Sequence, residues 1–431
     1  MVLIFFLFWR IFDFLIIFFS QKVIPYLGFF PYRDQLPGFN LPSWVSALAN
    51  FDGLHYISIA RDGYAQYEQA FFPLYPLTIK FLAPLFSNNQ LLTGLIISNV
   101  SFFFGLIVFY KYLNKGVINH APTTILLLLA FPTSFFFGAV YTEGLFFLLL
   151  ISVLYFLKGK NYFFVVVFAF LASLTRLVGI FLIIPILLHL IQKLKVKNQN
   201  LKSKLKSFLY LILNTKYLLL IISPLLGLGI YCLYLWQTTG DPFFFLTSQP
   251  IFGANRSSHL ILLPQVYWRY FKIFLTAAHD SRFYVSVIEF LMFNFVFVIL
   301  VLDLFKNLKI KNWKLALSGV EGLKIENFDH LGLNLFSLAN LILPTLTGTF
   351  SSVPRYVLFS LSFFIYLSQI SPSYADLSHS DRPKQLRGTY TRANLFASGI
   401  KNVFIKYLIV GIFLILHILL LGYFTQGYFI S

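Results

Sequence analysis

The densest knot of ionisable and aromatic residues runs from Phe51-Asp52-Gly53-Leu54-His55-Tyr56 through Ile59-Ala60-Arg61-Asp62-Gly63-Tyr64 to Phe71-Phe72-Pro73-Leu74-Tyr75-Pro76. Carboxylates beside an imidazole, a guanidinium and several rings are the equipment of acid–base work on a polar substrate. On a helix, Asp52, His55, Tyr56 and Ile59 share one face through three- and four-residue spacings. Asp52 and His55 then address one substrate from a single rigid element. The same residues also fit a plainer role, since Asp-Gly is an ordinary turn signal and histidine an ordinary hydrogen-bonding residue.

Such a loop has to be positioned by a membrane. The 431-residue chain is 58% hydrophobic and 20% aromatic but only 11% charged, with a mean hydropathy of +0.78. A soluble domain carries about 25% charged residues. Apolar runs of about 18 residues or more recur along the whole length, each a candidate membrane helix. The expected fold class is an all-α polytopic membrane protein with a single domain over 1–431. About eleven spans are expected, at roughly 3–28, 89–110, 121–140, 143–158, 161–175, 177–192, 209–236, 283–305, 333–350, 355–370 and 403–424. The first span lacks a small-residue cleavage site, so it reads as a retained helix.

A formal net charge of +18 would suggest nucleic acid in a soluble protein. Here the basic residues crowd connections between spans, where sidedness explains them better, and nucleic-acid binding is set aside. Lys193, Lys195, Lys197, Lys202, Lys204 and Lys206 form one such connection, and Lys306, Lys309, Lys311 and Lys314 another. Arg382, Lys384, Arg387, Arg392, Lys401 and Lys406 form a third, with smaller ones at Lys111 and Lys115 and at Lys158 and Lys160. With eleven spans all of these share the side of the N-terminus, which the positive-inside rule makes cytoplasmic. The C-terminus and the segments 29–88 and 237–282 then lie outside, with the short turns near Glu143, Arg176 and Ser351–Arg355. The carboxylates on that side are Asp34, Asp52, Asp62, Glu68, Glu143, Asp241 and Asp280.

Within the first outer loop, Ser43 is a plausible N-cap and Gly63 a helix stop, so an interfacial helix is expected to carry Trp44 and Asp52. The prolines at 73 and 76 turn the chain back toward the membrane. The second outer segment, with Asp241, Arg256, His259, Arg269 and Asp280, is expected to pack over the first. Two polar cytoplasmic inserts, 315–330 and 371–402, read as flexible loops. The one cysteine, Cys232, gives neither a disulfide framework nor a thiolate metal site, and the eight histidines lack paired ligand spacing. No cofactor is called for; a divalent metal is compatible with the outer carboxylates, but nothing in their spacing requires one. No internal repeat of the kind found in inverted-repeat transporters is evident.

The motifs along the chain resemble those of the second mannosyltransferase of GPI-anchor synthesis. Phe51-Asp52-Gly53-Leu54-His55-Tyr56, Ile59-Ala60-Arg61-Asp62-Gly63-Tyr64 and Ala70-Phe71-Phe72-Pro73-Leu74-Tyr75-Pro76 are similar to its first luminal loop. Phe131-Pro132-Thr133-Ser134-Phe135-Phe136 through Tyr141-Thr142-Glu143-Gly144-Leu145-Phe146 resembles a further segment. Thr175-Arg176-Leu177-Val178-Gly179 and Pro354-Arg355-Tyr356 resemble two more. Order and spacing agree across most of the chain. The departures are Phe51 where the family has tryptophan and Gly144 where it has serine, as in a divergent, prokaryotic-type homologue.

The resemblance implies the multispan GT-C glycosyltransferase architecture, a polyprenyl-phosphate sugar donor, a lipid-linked or other glycan acceptor, and a catalytic acid in the first non-cytoplasmic loop. Carried over, that acid is Asp52, acting as general base in an inverting transfer, most simply of mannose. His55 orients the base or contacts the acceptor, and Asp62 is the reserve carboxylate. Arg176 and Arg355 are candidates for the departing phosphate, since guanidinium suits phosphate through paired hydrogen bonds, and snorkelling arginines are the alternative. Glu143 is a candidate substrate contact that would equally complement a helix N-terminus. Arg61, Tyr64, Tyr75 and Tyr356 complete the expected substrate-binding set, with Tyr64 and Tyr75 as sugar-stacking candidates and Tyr141 a weaker one. The site would be extracytoplasmic, facing out of a prokaryotic plasma membrane or into a eukaryotic endoplasmic reticulum. The competing functions are a flippase or transporter of lipid-linked sugars, an assembly subunit without catalysis, and a GT-C enzyme moving another sugar.

Overall fold

The computed structural model describes residues 1–27, 33–115, 120–195, 214–252, 256–257, 259–310, 323–325, 327–369 and 392–430. The described residues are mainly helical, as expected for a sequence whose backbone has to satisfy itself inside lipid. Among the described residues five helices are long and apolar enough to cross a membrane: α1 (Val2–Val23), α4 (Gln90–Asn114), α9 (Thr215–Thr239), α11 (Ser281–Asn307) and the apolar part, Ile405–Thr425, of α15 (Arg392–Thr425). Between them lie shorter helices: α2 (Asp52–Asp62), α3 (Leu74–Leu82), α5 (Ala121–Ala130), α6 (Glu143–Lys158), α7 (Tyr162–Thr175) and α8 (Ile183–Lys195) in the first half. The second half adds α10 (Leu263–Thr276), α12 (Phe328–Ile342), α13 (Val353–Val357) and α14 (Leu361–Gln369). Leu308–Ile310 pairs with Leu323–Ile325 as a three-residue antiparallel ribbon.

Helices were expected in all eleven regions, and each holds one, but several are not unbroken crossings. The run expected over 121–140 stops at Ala130, because Pro132 follows and the chain then enters a short 3₁₀ turn at Ser134–Gly138. The run over 177–192 opens as a 3₁₀ turn, Leu177–Leu182, before α8. The run over 355–370 is split into α13 and α14. Most of the polar inserts expected at 315–330 and 371–402 lies outside the described residues; where it is described, the second insert ends within α15, which begins at Arg392.

Segment 131–142 is irregular backbone sealed in the middle of the bundle, with Phe131, Phe135, Phe136 and Phe137 fully buried. Irregular backbone survives at such a place only when its polar groups are satisfied by protein. Arg10 and Asn99 donate to the Gly138 carbonyl at 2.9 and 3.1 Å, Val140 N donates to Leu48 O, and Ser98 Oγ donates to Tyr141 O. Thr133 Oγ1 donates to Pro354 O at 2.7 Å, tying the segment to the turn that starts α13. Helices α4 and α6 pack face to face, and α6 continues the layer onto α7 and then α9. At Gly144 a Cβ would run into the carbonyl oxygens of Ser98 and Phe137, so this close approach demands glycine here.

Candidate active site

The interfacial helix expected from Ser43 to Ala60 is broken. Ser43–Ser46 and Ala47–Ala49 form short turns, and α2 starts afresh at Asp52. The break is at Phe51, whose φ of +59° is a left-handed value that a bulky residue rarely adopts. Its ring packs against Phe424 and Phe429, which holds the chain in that conformation. The result is that Asp52 opens α2, where the exposed N–H groups of a helix terminus favour a negative charge. Gly63, at φ +88°, closes the helix as the sequence suggested.

Four residues separated by up to 303 positions converge on this helix start. Asp52 Oδ2 accepts from Arg355 Nη1 at 2.7 Å. Arg355 Nε donates to Glu143 Oε1 at 3.1 Å. The same Glu143 oxygen accepts from Arg176 Nη1 at 2.6 Å, and Arg176 Nη1 also reaches Thr142 Oγ1 at 2.9 Å. Asp52, Arg355, Glu143 and Arg176 thus form a charge-balanced chain of alternating signs. Both guanidinium groups lie on aromatic faces: Arg355 on Phe136 and Tyr141, Arg176 on Tyr356 and Phe359, all within about 5 Å. Neither arginine reaches outward from the protein; both are buried.

The lattice is closed everywhere except at Asp52. Its side chain is 26% exposed, against 0% for Glu143 and 9% for Arg355. Among the described residues, Oδ1 of Asp52 takes no hydrogen bond, so one carboxylate oxygen faces open space. Burial alone would raise the Asp52 carboxyl; the Arg355 guanidinium outweighs it and holds the group below the ordinary carboxylate value. Asp52 is therefore ionised across the physiological range. Beside it, burial pushes the Tyr56 hydroxyl well above its usual value, with the Asp52 and Glu143 charges adding to the effect, so it remains a proton donor.

His55 sits one turn along α2, its Nδ1 2.9 Å from Glu68 Oε1 and its ring stacked on Phe71. Glu68 is itself fixed by accepting from Ala65 N at 3.0 Å. This gives a carboxylate–imidazole pair next to Asp52, and Glu68 is a residue that sequence reasoning grouped with Asp52 at one end of the spans without assigning it to the site. The histidine spacing on α2 was visible; its partner, thirteen residues on across a loop, was not.

Other expected site residues are placed elsewhere. Asp62 and Arg61 pair with each other at 2.9 Å, exposed at the far end of α2, about 15 Å of helix from Asp52. Tyr75 is completely buried, its hydroxyl donating to Gly94 O at 3.0 Å, and Tyr141 is buried with its hydroxyl donating to Asn50 O at 2.7 Å. Tyr64 donates to Phe71 O at 2.7 Å. The expectation that Tyr75 and Tyr141 offer open faces to a sugar is thus corrected: both form the wall behind the lattice, because their hydroxyls find partners only inward. Tyr356 is half-buried and serves Arg176.

Among the described residues no three histidine, cysteine, aspartate or glutamate side chains gather as metal ligands. The space between Asp52 and Glu143, where a divalent ion would bridge them, is filled by the Arg355 guanidinium.

At the other end of the bundle, Lys158 closes α6 and lies over Tyr112, Lys115 lies over Tyr155, and Lys193 over Tyr162 and Tyr217. Lys158 and Lys306 line one cavity there. Helix α6 spans 16 residues from Glu143 to Lys158, so this basic end is about 22 Å from the lattice.

Residues 1–242 match the family model described as mannosyltransferase (PIG-V), more than half of the chain. The matched stretch carries Asp52, His55, Glu68, Glu143 and Arg176, while Arg355 lies beyond it. No curated protein matches the chain.

Proposed function

The chain belongs to the mannosyltransferase (PIG-V) family, and from that premise we propose that it is an inverting transferase moving mannose from a polyprenyl-phosphate donor to a lipid-linked or other glycan acceptor. That it is a membrane-bound glycosyltransferase follows from the family and from its five apolar crossing helices. The observation that carries the finer reading is the single open oxygen of Asp52 in an otherwise closed ionic lattice.

An acceptor hydroxyl hydrogen-bonds to Asp52 Oδ1. As its oxygen bonds to the anomeric carbon, the carbon–oxygen bond to phosphate breaks and the hydroxyl proton passes to Asp52. The polyprenyl phosphate departs with the electron pair, and the proton is later released to water. One displacement inverts the anomeric centre, so no covalent sugar–enzyme intermediate is needed. A general base contributes about 10²–10⁴ in rate. Arg355 keeps Asp52 ionised and aimed, Glu143 and Arg176 hold Arg355, and the Glu68–His55 pair borders the acceptor position. The cationic role in the site is assigned to arginine rather than to a divalent ion, because Arg355 fills the gap between the carboxylates.

The basic end of the bundle, with Lys115, Lys158, Lys193 and Lys306, supports an arrangement with that end cytoplasmic and Asp52 outside. The test supplies membranes containing the chain with polyprenyl-phosphate mannose or a nucleotide-activated mannose, and determines the anomeric configuration of the product. Transfer from the lipid donor alone, with inverted configuration, is the expected result. Transfer from the nucleotide sugar alone, or retained configuration, would overturn the reading.

A further inference from the structure

A polyprenyl-phosphate sugar is a phosphodiester with one negative charge, and its departing phosphate gains a second. In an inverting displacement that phosphate lies on the far side of the anomeric carbon from the base, so its cation must border Asp52 without being part of the base's own ion pair. Arg355 and Arg176 do not meet this condition. Each is buried and committed to carboxylates: drawing Arg355 away would strip Asp52 of its counter-ion, and drawing either arginine away would leave the interior Glu143 with a single guanidinium.

Arg256, from the second long loop, does meet it. Its Nη2 donates to Ser352 Oγ at 2.9 Å and its Nη1 to Gln249 Oε1 at 3.2 Å. Both partners are neutral, and among the described residues Arg256 forms no ion pair. Ser352 is the residue whose carbonyl accepts from Arg355 N at 3.0 Å, so Arg256 sits at the start of the turn that carries the base's counter-ion. It is half-buried, with its positive charge felt at Asp52. Two neutral hydrogen bonds hold the guanidinium in place without cancelling its charge, the condition for a preorganised anion ligand.

We infer that Arg256 is the donor-binding residue that takes the phosphate of the polyprenyl-phosphate sugar, with the Ser352 hydroxyl beside it. The assignment rests on the donor class proposed above. It gives the second long loop a share in the active site and divides the work between two arginines, with Arg355 serving the base and Arg256 the leaving group.

The test uses the full chain, purified in lipid nanodiscs, with radiolabelled polyprenyl phosphate, the product of the proposed reaction, as the binding probe. Arg256→Gln is expected to weaken binding tenfold or more and to raise the donor KM similarly while leaving the acceptor KM unchanged, a split that a merely structural role would not produce. Arg256→Lys keeps the charge and loses the two-pronged geometry, so it should fall between the two and serves where the glutamine variant does not fold. Wild-type binding and donor KM in both folded variants would overturn the assignment while leaving the donor class standing. No binding of polyprenyl phosphate by the wild-type chain would instead refute the donor class, and the assignment with it.

Discussion

Two of the buried ionic networks among the described residues differ in one respect. In the first, Asp13 accepts from Arg10 Nη1 at 3.3 Å and sits 2.8 Å from His417 Nε2, while His417 Nδ1 lies 3.2 Å from Ser134 Oγ. Trp9 Nε1 donates to the same serine, and Arg10 also holds the Gly138 carbonyl. The network joins α1, α15 and the buried segment 131–142, and its Asp13 and His417 side chains are 0% and 1% exposed. In the second, Asp52, Arg355, Glu143 and Arg176 join α2, α6, α13 and the end of α7, and one carboxylate oxygen is left open. Both networks need every buried charge paired. Only the second leaves a group free to act on something else, and that opening separates a staple from a site.

The contrast predicts what breaks when each is cut. The largest combined effect is expected for Arg355→Gln, which strips Asp52 of its counter-ion and leaves Glu143 with one guanidinium. Removing one partner of a buried pair costs about 3–5 kcal/mol, and transfer should fall with it. The same variant tests the charge at Asp52. The native carboxyl is held below its ordinary carboxylate value, so the stability its pairing contributes is complete above that ordinary value and is lost as pH falls through the lower folded one. Without Arg355, burial dominates, and the acid limb of transfer should move to higher pH. An unmoved limb in a pH–rate profile would show that Arg355 does not set the ionisation of the base.

Asp13→Leu should cost a similar amount of stability, about 3–5 kcal/mol, in thermal unfolding of detergent-purified protein. Transfer per folded molecule should stay close to wild type. A specific loss of turnover in folded Asp13→Leu would erase the distinction between staple and site.

Glu68→Gln retains shape and removes the charge facing His55; a loss of about tenfold in transfer is expected, smaller than the loss of about 10²–10⁴ for a direct acid–base group. An unchanged rate would confine the His55–Glu68 pair to loop structure. The smallest effect is expected for Tyr75→Phe, which removes one buried hydrogen bond worth about 1 kcal/mol. Its transfer rate should not change, since the hydroxyl faces Gly94 and Ser98 and not the site.

Much of the lattice was legible in the sequence. Asp52, Glu143, Arg176 and Arg355 each stand in a short motif, and sidedness counted from lysines put all four at one end of the bundle. Legibility stopped where position depends on long-range contact or on broken helices. Arg10 and Asp13 stand three positions apart, a helical spacing that brings two side chains together, but His417, 404 residues away from Asp13, carries no local signal. The same holds for Arg256, whose relation to Asp52 passes through Ser352. The break at Phe51 was hidden because an aromatic residue at positive φ is held by packing, here against Phe424 and Phe429, and not by propensity. The sugar-stacking role expected of Tyr75 and Tyr141 failed for a related reason: nearness to the site in sequence does not say which way a ring points.

The central claim is that Asp52 is the base, and Asp52→Asn addresses it most directly. Asparagine keeps the shape of the side chain and can still accept from Arg355, but it cannot take the acceptor's proton. Membranes carrying equal amounts of folded wild type and variant would be supplied with labelled polyprenyl-phosphate mannose and their transfer rates compared. A fall of about 10²–10⁴ is the predicted result; transfer by the variant at the wild-type rate would contradict the account.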